Sequence, residues 1–206
     1  MQNLKNIIFD LGGVLLNIDF KKTEAAFKLL GWDSFSDYIS QFHISDLFEQ
    51  YETGQIDDLD FVQGISELMG KAANNQHIID AWNALLLDFP SKRIDLLKKL
   101  KGRYRLFLLS NTNAIHLKEF NQRLYEQEGV YLEDLFEKTY YSHVVKLRKP
   151  SSAIFQLVLD ENNLLPEETL FIDDTASNFE EAIKMGIQTY HLQPGEDITD
   201  MEVFRK

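Results

Sequence analysis

Four short stretches of this chain end in residues that can do chemistry. Ile7-Ile8-Phe9 runs straight into Asp10 and then into the paired glycines Gly12 and Gly13. A second apolar run, Leu106 to Leu109, ends in Ser110, Asn111 and Thr112. Lys149 stands directly before Pro150 and a helix-like segment, and Leu170-Phe171-Ile172 closes on the adjacent carboxylates Asp173 and Asp174. In an open α/β sheet, ligands bind outside the carboxyl ends of the strands, so charged and hydroxyl groups at those ends are poised for a charged ligand rather than for packing. Singly, each residue has a plainer reading. Asp10 or the Asp173-Asp174 pair could cap a following helix, Ser110 could sit in a turn, and Lys149 could be a surface lysine. Jointly those readings require the same coincidence four times, at strand ends that one sheet would bring together.

The elements that must hold these residues follow from hydrophobic periodicity. Strands are expected at 5–10, 104–110, 138–142, 169–173 and 187–192, alternating with helical patterns, which is the signature of a doubly wound parallel α/β sheet with helices on both faces. Between the first two strands lie about 90 residues without a convincing strand, too long for a bare loop in a compact domain. They read as amphipathic helices at 20–30, 35–42, 44–53, 59–69 and 78–87. The expected organisation is therefore a core of residues 1–16 and 91–206 with an inserted helical cap at 17–90, hinged near Asn17-Ile18-Asp19 and Phe89-Pro90-Ser91. Trp32, Trp82, Phe35, Phe42, Phe48 and Phe61 would form the cap's own core.

Composition narrows the function class. At 206 residues, one core with a small inserted subdomain is expected rather than two full domains. Thirty-three acidic against 21 basic residues give a formal charge of −12, which makes nucleic acid a poor partner. The basic side of the 91–101 helix reads as an ordinary solvated face. The absence of cysteine excludes disulfides, thiolate metal sites and a cysteine nucleophile, and fits a reducing, cytoplasmic setting. The first apolar run is too short for a secretory signal, and no apolar stretch is long enough to span a membrane.

Taken in order, Asp10, Ser110, Lys149 and Asp173-Asp174 resemble the four motifs of the haloacid dehalogenase (HAD) superfamily of phosphohydrolases, and the resemblance extends over residues 5–192. It implies a C1-type helical cap, a small phosphate ester as substrate, and Mg²⁺ as cofactor. Phosphoryl transfer needs a nucleophile, a cation to gather the phosphate oxygens, and donors for the remaining charge. By the resemblance Asp10 attacks phosphorus to give an aspartyl-phosphate. Asp10, Asp174 and the backbone carbonyl of Gly12 hold the metal, and Asp173 holds a metal-bound water or orients Asp174. Ser110 and the amide of Asn111 donate to the phosphoryl oxygens, while Lys149 neutralises charge on phosphate and on Asp10.

One position departs from the family pattern. Most phosphatases of the superfamily carry a second Asp two residues after the nucleophile, to protonate the leaving oxygen and later activate water; here that residue is Gly12. Such acid–base help is typically worth about 10²–10⁴-fold. Three explanations stand: a leaving group good enough to need no acid, a substitute such as Asp19 or His116, or a weakly active or non-catalytic relative that kept the fold. The strings Phe9-Asp10-Leu11-Gly12, Asn17-Ile18-Asp19-Phe20, Tyr51-Glu52-Thr53-Gly54 and Ser110-Asn111-Thr112-Asn113 resemble the bacterial branch that includes α-D-glucose-1-phosphate phosphatases. That branch also tends to lack the second Asp, so an active sugar phosphatase is the expectation. On its own chemistry, Glu52-Thr53-Gly54 is a helix end with a glycine cap. A metal-free 2-haloacid dehalogenase of the same fold is the alternative, opposed by two adjacent carboxylates in a site that must attract an anion. His43, His77, His143 and His191 lack the spacing of a zinc site and read as structural or surface residues.

Overall fold

The structure, a computed structural model, describes residues 3–40, 43–44 and 46–204. In chain order the elements begin with β1 (Asn6–Phe9), α1 (Phe20–Leu29) and α2 (Phe35–Tyr38), then β2 (Ile39–Ser40) and β3 (His43–Ile44). Next come α3 (Asp46–Glu52), α4 (Asp58–Leu68), α5 (Asn75–Asn83), α6 (Ser91–Leu100), β4 (Arg105–Ser110), α7 (Ala114–Glu128) and α8 (Leu132–Leu135). The chain continues through β5 (Lys138–Tyr141), α9 (Ser142–Val145), α10 (Ser152–Asn162), β6 (Thr169–Asp173), α11 (Glu180–Lys184) and β7 (Gln188–His191), with short 3₁₀ turns between.

Five strands form a parallel sheet in the order β5-β4-β1-β6-β7, with β1 at its centre. Central parallel strands are covered on both faces, which is why they read as unbroken apolar runs. The two-residue side-chain period then sorts them. Ile7, Phe9, Leu106, Leu108, Leu170 and Ile172 enter one buried cluster, and Ile8, Phe107, Leu109 and Phe171 enter the other. Phe9 is in register with Leu108 of β4 and Ile172 of β6, so the three strands end side by side.

The helical stretch between β1 and β4 has its own core. Phe27, Trp32, Phe35, Phe48, Tyr51, Phe61 and Trp82 pack together, and Ile115 from α7 in the sheet-flanking layer joins them. Phe42 lies outside the described residues. The two connecting segments are tied to each other: Ile18 and Leu86 form an antiparallel bridge, and Asn17 and Asp19 exchange backbone hydrogen bonds with Leu85, Leu87 and Asp88 at 2.9–3.0 Å.

Several helix limits differ from the sequence expectation. The helix expected at 35–42 stops at Tyr38 and the one expected at 44–53 starts at Asp46, because residues 39–40 and 43–44 pair as a small antiparallel ribbon. Strands of two residues are too short to show a period. The helix expected at 78–87 starts at Asn75, where Asn74 accepts from the amides of Gln76 and His77, and stops at Asn83 so that residues 85–88 can pair with 17–19.

Candidate functional site

The carboxyl ends of β4, β1 and β6 bring together residues from distant parts of the chain. Asp10 and Lys149 are 139 residues apart in sequence, yet Lys149 Nζ lies 2.6 Å from Asp10 Oδ1 and 2.6 Å from Asp173 Oδ2. Lys149 is buried and its ammonium also sits over the Phe171 ring. Burial alone would lower its pKa, but the two carboxylates outweigh that and hold it above the ordinary lysine value.

Asp173 is wholly buried and heavily engaged, accepting the Thr175 amide at 2.8 Å and the Asn178 side-chain amide at 3.1 and 3.0 Å besides its ion pair with Lys149. Asp174 is half-buried, and its side chain accepts the neighbouring Thr175 hydroxyl at 3.2 Å. Its backbone carbonyl meets His191 Nε2 at 3.0 Å. Gly13 takes φ +72°, and a Cβ there would lie 2.2 Å from Asp174 Oδ2, so the turn after Asp10 requires glycine for both conformation and space.

Asp10, Asp173 and Asp174 offer oxygens that all lie within 4.8 Å of one another, the one such metal-ligating group among the described residues. Three buried or half-buried carboxylates face a single ammonium. Burial pushes the Asp10 carboxyl up to about 7, with Asp173 and Asp174 acting the same way and Lys149 opposing; burial likewise raises Asp174. An all-oxygen donor set with uncompensated negative charge fits a hard divalent cation such as Mg²⁺.

Ser110 ends β4, buried. The Asn111 side chain is committed to the backbone of Lys149, donating to its carbonyl at 3.0 Å and accepting its amide at 2.9 Å. It thereby fixes the loop that carries the lysine. Asp19 is the N-cap of α1, accepting the Lys21 amide at 3.0 Å. His116 is buried, stacked on Trp82 at 4.7 Å, with Nε2 at 3.1 Å from the Trp82 carbonyl and Nδ1 at 3.1 Å from the Asn113 side-chain amide. Those partners describe a neutral ring, and burial holds its pKa down to about 4. Both His116 ring nitrogens are thus engaged, and Asp19 Oδ1 is engaged in capping α1.

Two side chains given no part by the sequence reading belong to this neighbourhood. Asn178 grips Asp173 from the end of the 3₁₀ turn Ala176–Asn178; its position five residues on, just ahead of a helix, was the available signal. Glu52, from the end of α3, forms a 3.0 Å ion pair with Arg148, the residue before Lys149. It also lines a cavity of about 110 Å³ together with Gly12, Ser110, Asn111, Trp82 and His116. A wider groove of about 660 Å³ opens on Gly13 and Asp174 from the side of Phe20 and Gly195.

A parallel sheet with an acidic pocket and a buried lysine at its carboxyl edge, under a helical insertion, defines a class of α/β hydrolytic enzyme. The chain belongs to the haloacid dehalogenase-like hydrolases, whose sequence profile matches residues 4–186. It is 29% identical over 194 residues to a D-ribitol-5-phosphate phosphatase of Bacteroides thetaiotaomicron, covering 94% of both chains. A HAD family enzyme from the same organism, crystallised as a variant with magnesium and inorganic phosphate, superposes with a TM-score of 0.94 at 39% identity, over 98% of this chain and all of that one. An L-2-haloacid dehalogenase of Xanthobacter autotrophicus shares the fold alone, with a TM-score of 0.59 at 18% identity over 92% of this chain and 77% of that one. No helix among the described residues is long and apolar enough to cross a membrane.

Proposed function

We propose that this enzyme is a Mg²⁺-dependent phosphatase of a small sugar or alditol phosphate, working through an aspartyl-phosphate on Asp10. The observation that carries the reading is the Lys149 ammonium bridging Asp10 and Asp173, with Asp174 beside them, at the ends of adjacent parallel strands. The likeness to a ribitol-5-phosphate phosphatase supports the substrate class.

Asp10 supplies the attacking oxygen. Lys149 favours the ionised form of that oxygen against the effect of burial and gathers charge from the phosphoryl group, while Ser110 Oγ and the Asn111 backbone amide donate to its remaining oxygens. Asp10, Asp174 and the Gly12 carbonyl would hold Mg²⁺, which when bound neutralises phosphate charge and aligns the displacement. Asp173 orients Lys149 and, through Asn178 and Thr175, the turn that presents Asp174. Residues 17–90 act as a cap over this edge, and a cytoplasmic setting suits a metabolite phosphatase without cysteine.

The test is phosphate release from p-nitrophenyl phosphate and D-ribitol 5-phosphate with Mg²⁺, with chelator and with Ca²⁺. Activity should need Mg²⁺, be inhibited by Ca²⁺, whose longer and more numerous bonds loosen the geometry, and vanish in Asp10→Asn. Full turnover in excess chelator, or a wild-type rate in freshly made Asp10→Asn, would refute the mechanism.

A further inference from the structure

We propose that Glu52 is a specificity-determining residue, a carboxylate that accepts hydrogen bonds from the hydroxyl groups of the substrate's leaving group and so selects neutral polyol phosphates. The inference rests on the phosphatase reading above and deepens it.

Three observations carry it. First, Glu52 shares its cavity with Gly12, Ser110 and Asn111, so an ester substituent leaving the phosphoryl site on this side passes it. Much of the remaining lining is apolar, including Leu11, Leu16 and Phe120. Of the other polar side chains on this wall, Ser110 and Thr112 offer hydroxyls, while the Asn111 amide is spent on the Lys149 backbone, both His116 nitrogens on Trp82 and Asn113, and the Trp82 indole on Asn113 at 3.3 Å.

Second, Glu52 is under-satisfied. Among the described residues its side chain meets Arg148, by a single contact from Nη2 to Oε2 at 3.0 Å, and Arg148 Nε is itself buried without a hydrogen-bond partner among them. A buried carboxylate with one cation and open lone pairs is costly unless further donors reach it. Hydroxyl groups supply such donors. A second anionic group on the substrate would instead be repelled, because Arg148 is already paired.

Third, its position is fixed in advance. Gly54 follows at φ +62°, so close to the other layer that a Cβ would lie 2.1 Å from the His143 carbonyl oxygen. The Tyr51 hydroxyl accepts the Ile115 amide at 3.1 Å and donates to Asp58 at 2.6 Å. Residues on both sides of Glu52 are thus pinned to the sheet-flanking layer or within α4, and a preorganised acceptor loses little entropy on binding.

Binding measured without turnover tests this. In an Asp10→Asn background with Mg²⁺, calorimetric titration of D-ribitol 5-phosphate and of inorganic phosphate is compared with and without Glu52→Gln. Losing a hydrogen bond to a charged group should weaken the ribitol ester about tenfold or more while phosphate shifts less than about twofold. Equal weakening of both ligands, or of neither, overturns the proposal. With Glu52 intact, n-pentyl phosphate and 3-phosphoglycerate should each bind at least about tenfold more weakly than the ribitol ester, and parity would overturn it as well. Failure of wild-type enzyme to release phosphate from any ester would instead defeat the phosphatase reading, an outcome these binding contrasts do not share.

Discussion

Asp173 and Asp174 are neighbours in sequence with opposite surroundings, and their substitution should separate stability from activity. Removing Asp173 strands the buried Lys149 with one partner and leaves the Asn178 amide and Thr175 N–H without an acceptor. Breaking a buried pair this way costs about 3–5 kcal/mol. Removing Asp174 takes away one weak hydroxyl contact and some like-charge repulsion. Asp174→Ala should therefore melt no lower than wild type in chelator yet lose Mg²⁺-supported turnover, while Asp173→Ala melts well below both; equal losses of stability would contradict the division. At this scale the sequence is legible where an apolar run ends in a charge, as at Asp10 and Asp173. It is silent on Glu52 and Asn178, because their importance comes from partners that only the folded chain brings near, and a glutamate before a glycine at a helix end looks ordinary.

His116 joins two elements, α7 beside the sheet and α5 of the helical insertion, through its stack on Trp82 and its bond to the Trp82 carbonyl. Burial, and secondarily the charge of Arg123, depress its pKa to about 4 from the ordinary histidine value of 6.5, against the pull of that bond. Between those two values the unfolded chain binds a proton that the folded chain refuses, so the histidine's contribution to stability falls as pH drops through that window. The shift corresponds to on the order of 3 kcal/mol. The stability gap between wild type and His116→Gln should thus shrink by about that much between pH 7 and pH 4, read from urea unfolding at each pH. A gap that stays constant means the ring is not buried neutral. This joint also shows where element reading stops: the central strands β4, β1 and β6 announce themselves by double-sided burial, whereas the 39–44 ribbon and the truncated α5 are set by contacts between segments rather than by any local period.

At the scale of the molecule, the acidic pocket makes folding and metal binding one equilibrium. The cluster of Asp10, Asp173 and Asp174 exists only in the folded chain, so Mg²⁺ should stabilise it, by about 2.7 kcal/mol at a hundred times its dissociation constant. The melting temperature should rise by several degrees in wild type and not in Asp174→Ala, and a rise in both would remove Asp174 from the ligand set. Catalysis poses the other whole-molecule question, since no side chain stands at Gly12 to protonate the departing oxygen. The two substitutes legible in sequence are occupied, Asp19 capping α1 and His116 held neutral between Trp82 and Asn113. Without an acid, charge builds on the leaving oxygen in a loose transition state, and the rate should depend steeply on leaving-group acidity. Aryl, acyl and anomeric sugar phosphates should therefore exceed primary alkyl phosphates in kcat, and Asp19→Asn and His116→Gln should leave the slope of that series as it is. A flat series in wild type that steepens in Asp19→Asn or His116→Gln would identify that residue as the missing acid. A flat series that steepens only in Glu52→Gln would make Glu52 a proton donor as well as a hydroxyl acceptor, because its carboxyl is the one remaining titratable group on the cavity wall and burial already raises its pKa against the pull of Arg148.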